Sequence, residues 1–137
     1  MRKQFVQSVE KILGENSETV LLLGDIGVFG FRNAFRDYPS RVYNIGILEQ
    51  ATISLAGGLA KTGLIPIVHT IATFLVERCL EQLKIDFGYQ QLGGNFISVG
   101  NSYDYASLGC THHCPADIGL LKKLIILLKN LVQSLKL

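Results

Sequence analysis

The sequence predicts an α/β fold, a mostly parallel sheet with helices on both faces. Three observations predict it. Short apolar runs alternate with longer amphipathic stretches, the pattern of βαβ units. Glycine or asparagine closes several of the short runs, at Gly24, Asn44 and Gly100. The unusual polar residues cluster just after those runs, where such folds hold ligands beyond the carboxyl ends of the strands.

Each element follows in order. Phe5, Val6, Val9, Ile12 and Leu13 recur at helical spacing, so residues from about Arg2 to Gly14 read as an amphipathic helix. Thr19 to Leu23 is a buried strand closed by Gly24. The loop from Gly24 to Gly30 carries three glycines, and the connection runs on to about Pro39. Val42 to Asn44 is a second strand. Leu48 to Lys61 reads as a helix apolar almost all round and built of small residues, packed closely on more than one side. Gly63 is its C-terminal stop. Ile65 to Ile71 is the third strand. A helix is expected from about Thr73 to Phe87, with Phe74, Leu75, Cys79, Leu80 and Leu83 as its apolar face. Asn95 to Val99 is the fourth strand. A polar loop from about Asn101 to Pro115 precedes a last helix.

Bulk properties exclude several classes. A chain of 137 residues fits one domain with one sizeable core. With 48% hydrophobic and 18% charged residues it is globular rather than disordered. A net charge of +2, without basic runs interleaved with aromatics, gives no reason to expect nucleic acid. No stretch reaches the roughly 18 apolar residues of a membrane span. The odd set Cys79, Cys110 and Cys114, with no secretory-type opening, points to a reducing, cytoplasmic setting. No internal repeat or linker appears. The domain is expected over residues 1–121, with an atypical Lys/Leu-rich tail, helical in pattern, over 122–137.

Asn44-Ile45-Gly46-Ile47-Leu48-Glu49-Gln50 carries the most chemistry. A carboxylate follows a glycine turn and opens an apolar helix. One reading is an ordinary first-turn acid favoured by the helix dipole. The other is a desolvated carboxyl, which holds a proton more readily and suits exchange with a ligand nitrogen. Cys110-Thr111-His112-His113-Cys114 has the residue types for zinc, but its spacing is not that of paired zinc ligands and no second pair exists. The glycines of the Asp25 loop match neither a dinucleotide nor a Walker motif.

The run from Arg41 to Asp86 resembles the central, pyrimidine-binding domain of transketolases and deoxyxylulose-phosphate synthases, which also occurs as a separate chain in split transketolases. Arg41, Gly46, Glu49-Gln50, Ala56-Gly57, Leu59-Ala60, Gly63, Pro66, Thr73-Phe74, Arg78 and Gln82 fall where that family places such residues. Gly109 to His113 resembles its Gly-x-Thr-His segment, and Gly24-Asp25-Ile26-Gly27 its first loop. The resemblance covers about residues 2 to 121.

It implies a thiamine-diphosphate enzyme moving a two-carbon ketol unit between sugars or sugar phosphates. Glu49 matches the glutamate that shares a proton with N1′ of the cofactor's aminopyrimidine. Phe74 would pack on that ring; on residue type alone it is a core phenylalanine. Arg78 would face the same pocket or pair with Glu77 or Glu81 at the surface. Asp25 belongs to the cofactor-side loop. His112 matches the histidine that meets the substrate near the reacting carbon, and His113 would help bind a hydroxyl or phosphate. His69 would point into the crevice or be a satisfied core group. No metal is expected on this chain. Mg²⁺ and the diphosphate would be held by a partner, a diphosphate-binding transketolase subunit carrying a Gly-Asp-Gly…Asn segment, in a homo- or hetero-oligomer. No membrane partner is expected.

Two further departures from the family matter. Leu108 stands where many transketolases have an aspartate that reads a substrate hydroxyl. Lys122 to Leu137 has no acid, and puts Leu121, Leu124, Leu128, Leu131 and Leu135 on one helical face. That tail reads as a surface-seeking amphipathic helix, as an extra helix covering the sheet, or as a frame-slipped end. The alternative to an enzyme subunit is a truncated, non-catalytic domain acting only in assembly.

Overall fold

Phe5, Val6, Val9 and Leu13 form the packed side of helix α1 (Arg2–Glu15). The computed structural model describes residues 2–134, with side chains through residue 125. The Arg41 guanidinium donates to the carbonyls of Leu13 and Asn16, each at 2.8 Å, and so satisfies the end of α1. Strand β1 (Thr19–Leu23) is buried at every position. A six-residue helix, α2 (Arg32–Asp37), interrupts the connection to β2 (Val42–Asn44).

Gly46, at φ 84°, makes the turn that opens α3 (Glu49–Lys61). This helix ends at Gly63, whose φ of 91° lets the Leu64 amide reach back to the Leu59 carbonyl at 3.2 Å. That is the closure a glycine stop provides. Strand β3 (Ile65–Ile71) leads into α4 (Ala72–Val76), then α5 (Leu80–Gln82) and a π-helical stretch over Leu83–Tyr89. After β4 (Asn95–Val99), a 3₁₀ turn at Ala106–Leu108 and the polar loop lead to α6 (Asp117–Ser134).

The four strands are all parallel, in the order β2-β1-β3-β4. Period-two alternation splits the core. Val20, Leu22 and Val68 pack against Ile53 and Ala56 of α3 and Leu75 and Val76 of α4, with Leu120 and Leu121 of α6 alongside. Leu21, Leu23 and Ile67 face the other way, onto Val9, Leu13, Phe31 and Ala34. Helices therefore cover both faces. The order reverses between β1 and β3: β1 connects outward to β2, and the chain crosses back to β3. That gap is where a crevice opens in such sheets.

Two expectations need correction. The helix foreseen over Thr73 to Phe87 is interrupted at residues 77–79, and its second part passes from α to π winding at Leu83. The Thr73 carbonyl accepts from both the Glu77 and the Arg78 amides at 3.1 Å, so the turn widens to an i→i−5 bond. The long loop to Pro39 contains α2, because Phe31 and Ala34 bury against the sheet. Helix α6 runs unbroken past residue 121. The faces proposed for Leu128, Leu131 and Leu135 lie outside the residues whose side chains are described. Among the described residues no helix is long and apolar enough to cross a membrane.

Candidate functional site

Glu49 is the first residue of α3, and the Gly46 turn drops its side chain into the gap between β1 and β3. The carboxylate is 3% exposed. Both oxygens are engaged. Thr70, at the end of β3, donates its hydroxyl to Oε1 at 3.1 Å, and Arg78 donates Nη1 to Oε2 at 2.6 Å. Gly24 completes the wall. A Cβ there would lie 2.8 Å from Thr70 Oγ1 and 3.5 Å from Glu49 Oε1, so a side chain at the end of β1 would crowd the hydroxyl that holds the carboxylate.

The Arg78 guanidinium also lies over Phe74, its Cζ 4.0 Å from the ring centroid. Phe74 in turn meets the His112 ring at 5.3 Å, edge-on. Tyr105 flanks His112 at 6.0 Å. The Thr111 hydroxyl lies 3.0 Å from His112 Nδ1. Thr70, Glu49, Arg78, Phe74 and His112 thus form one continuous line from the bottom of the crevice to the polar loop. The base of that loop is pinned: the Cys114 amide donates to the Ser102 carbonyl at 2.7 Å, and the Ser102 amide to Asp117 Oδ2 at 3.3 Å.

The remaining site residues sit apart from this line. His113 turns to Tyr103, ring to ring at 5.1 Å, and its Nε2 is buried without a hydrogen-bond partner. Asp25 is exposed, held at φ 55° by exchange of two 3.0 Å bonds with Asn44. It closes the β1–β2 edge rather than touching Glu49. His69 points to the opposite face of the sheet. It is 7% exposed, with Nδ1 2.8 Å from the Ile97 carbonyl and its ring 4.7 Å from Phe5. Burial lowers its pKa and favours the neutral ring. The physical reason is alternation: Thr70 and His69 are consecutive strand residues and cannot share a face.

Sequence reasoning missed Thr70; Gly24 was read only as the close of β1 and the start of the loop that carries the resemblance, and Tyr105 fell in the polar loop before the last helix. Alternation alone places Thr70 on the α3 face with Val68, and so beside Glu49.

The buried thiols are not nucleophiles. Burial, then the charge of Glu49, pushes Cys79 up to about 12, and burial, then Glu77, pushes Cys114 up to about 11. Among the described residues no three His, Cys, Asp or Glu side chains gather to hold a metal. A separate groove of about 880 Å³ lies on the His69 face, lined by Phe5, Ile26, Phe31, Ile97 and Val99. Its surface is mostly apolar, with Arg2, Glu10 and Arg32 also in its lining. The convergent hydrogen-bonding groups are at Glu49, which makes that the candidate site.

Comparison with known proteins follows from this geometry. The family described as "Transketolase, pyrimidine binding domain" matches residues 1–124. An uncharacterized 33.6 kDa protein in the fasciation locus of Rhodococcoides fascians is 43% identical over 114 residues, covering 83% of this chain and 36% of that protein. An apulose-4-phosphate transketolase subunit of Phocaeicola vulgatus is 30% identical over 122 residues, covering 88% of this chain and 39% of that one. A solved structure described as a split gene transketolase, inactive β4 tetramer, superposes with a TM-score of 0.73 at 26% identity. It covers 87% of this chain and 38% of that one. The chain spans well under half the length of these relatives.

Proposed function

The chain belongs to the transketolase pyrimidine-binding domain family, and on that premise we propose that it forms the ring-binding half of a thiamine-diphosphate site in a ketol-transferring enzyme. The observation that carries this reading is the buried Glu49 carboxylate at the β1/β3 gap, with an aromatic face beside it. Bound there, thiamine diphosphate would supply the carbon nucleophile and the electron sink for cleaving a ketose.

This chain's residues fit the pyrimidine half of the cofactor. Glu49 would hold and return a proton at one ring nitrogen, in a crevice that excludes water. Thr70 holds Oε1, so the ligand would meet Oε2, the oxygen to which Arg78 donates. Phe74 would offer its face to the ring, a contact worth about 0.5–1.5 kcal/mol beyond burial. His112, next to Phe74, would stand over the reacting end of the sugar and move a proton at its carbonyl or hydroxyl oxygen. His113 and the tyrosines of the loop would contact the rest of the sugar. The diphosphate and Mg²⁺ would be held by a second chain or domain.

The test is reconstitution with a diphosphate-binding transketolase subunit, followed by ketol transfer from a set of ketose phosphates. Glu49→Gln is expected to lower kcat about 10²–10⁴-fold, the range for loss of an acid–base group. Turnover unchanged by that substitution would end the assignment. The second reading is an assembly module with this fold and no turnover. It is favoured by the solved neighbour, which is described as an inactive tetramer. Stable complex formation with no turnover from the unsubstituted chain would support it.

A further inference from the structure

Arg78 has no settled role in the site above, and its geometry assigns it one. Its guanidinium is flat, lies 4.0 Å over the Phe74 ring, and presents an N–H to Glu49 Oε2 at 2.6 Å. A flat nitrogenous ring bound at this site needs those same two contacts: the face of Phe74 and a hydrogen bond to Glu49 Oε2, the oxygen that Arg78 now meets. The other oxygen, Oε1, accepts from Thr70 at the floor of the crevice. Guanidinium and ligand ring cannot hold that place together. The Arg78 side chain is 38% exposed while that of Glu49 is 3% exposed, so the arginine is the outer member of the pair and has solvent to move into.

The backbone explains why this arginine reaches inward. Both Glu77 and Arg78 donate to the Thr73 carbonyl, and this widened turn separates α4 from α5. Local π-type widening re-aims the side chains that follow it, and recurs at functional sites. Glu77, the preceding residue, is turned elsewhere and accepts from the Thr73 hydroxyl at 2.8 Å.

We propose that Arg78 is a displaceable internal ligand: it occupies the ring position on Phe74 and Glu49 until a pyrimidine ring enters and drives it out to solvent. This rests on the reading of Glu49 and Phe74 as a ring site. Its consequence is quantitative. The ligand sees only the fraction of molecules with Arg78 displaced, so its apparent affinity is reduced by that fraction. A permanent binding arginine would have the opposite effect.

The probe is 4-amino-5-hydroxymethyl-2-methylpyrimidine, the ring half of the cofactor, titrated into the 137-residue chain and followed by NMR. Arg78→Ala is expected to bind it on the order of 5–10-fold more tightly than the unsubstituted chain, because the competing occupant is gone. Adding Glu49→Ala to either background should abolish binding. Glu49-dependent binding that is equal or weaker in Arg78→Ala overturns the placeholder and leaves the ring site standing. No saturable binding by either protein overturns both. If Arg78→Ala does not fold, the unsubstituted chain answers by itself. The Arg78 Nε–H resonance should move to the position of a solvent-exposed arginine at saturation, and a resonance that stays in place would refute displacement.

Discussion

Thr70 and His69 are neighbours on β3, both buried, and they have opposite fates. Thr70 faces α3 and α4 and holds the Glu49 carboxylate. His69 faces α1 and is held by the Ile97 carbonyl and the Phe5 ring. On Thr70's side a carboxyl group is buried and both its oxygens are met by donors. On His69's side the imidazole is neutralised by burial and borders a wide apolar groove. The two faces are equally part of the core, yet only one gathers groups that can act on a ligand. Concavity marks one face and convergent polarity the other, and convergent polarity is the better guide to chemistry.

The strongest way to sharpen this contrast is in the core beneath each face. Leu22 and Leu21 are both essentially inaccessible. Leu22→Ala and Leu21→Ala should each lose about 2–5 kcal/mol, read from denaturant midpoints at constant slope. Only Leu22→Ala should also weaken binding of the pyrimidine probe, since Leu22 packs in the cluster that carries α3 and α4. Equal weakening by Leu21→Ala would mean that the faces are not independent.

Next in size is Thr70→Val, nearly the same shape without the hydroxyl. It leaves Glu49 Oε1 buried without its donor, and should lose about 1–3 kcal/mol of stability. An unchanged melting temperature would show that water replaces the hydroxyl easily, and that the crevice is wetter than its geometry implies.

The pH dependence separates the faces again. The His69 pKa is lowered by burial from its ordinary 6.5, so the unfolded chain binds more protons than the folded chain below that value. The stability from this residue is complete above about 6.5 and declines as pH falls toward the depressed folded value. Thermal melts between about pH 7.5 and 5 should therefore show falling stability, and His69→Gln should flatten the curve. An identical slope in His69→Gln would place the titrating group elsewhere.

The smallest effect is chemical. Cys110 is exposed, whereas Cys79 and Cys114 are buried with their thiols held protonated. A thiol reagent at neutral pH should modify Cys110 first and leave melting nearly unchanged. Early modification of Cys79 would mean that the helix beneath Arg78 opens more readily than its packing suggests.

The alternation of apolar runs and amphipathic stretches determined the parallel sheet, all four strands, and helices α1 and α3, with Gly63 as the stop of α3. Strand and helix periods are local, set by which side chains must leave water. The Glu49 segment was only partly legible: a glycine turn and an apolar helix left open an ordinary first-turn acid or a dry carboxyl, and the burial of Glu49 decides for the second. The tertiary structure alone decided who meets that carboxylate. Thr70 lies 21 residues away and Arg78 29, and a widened turn invisible to periodicity aims the arginine inward. It also decided that His112 joins the line, because that residue lies on an irregular loop whose path no period predicts; the opposite face of His69, by contrast, already follows from strand alternation.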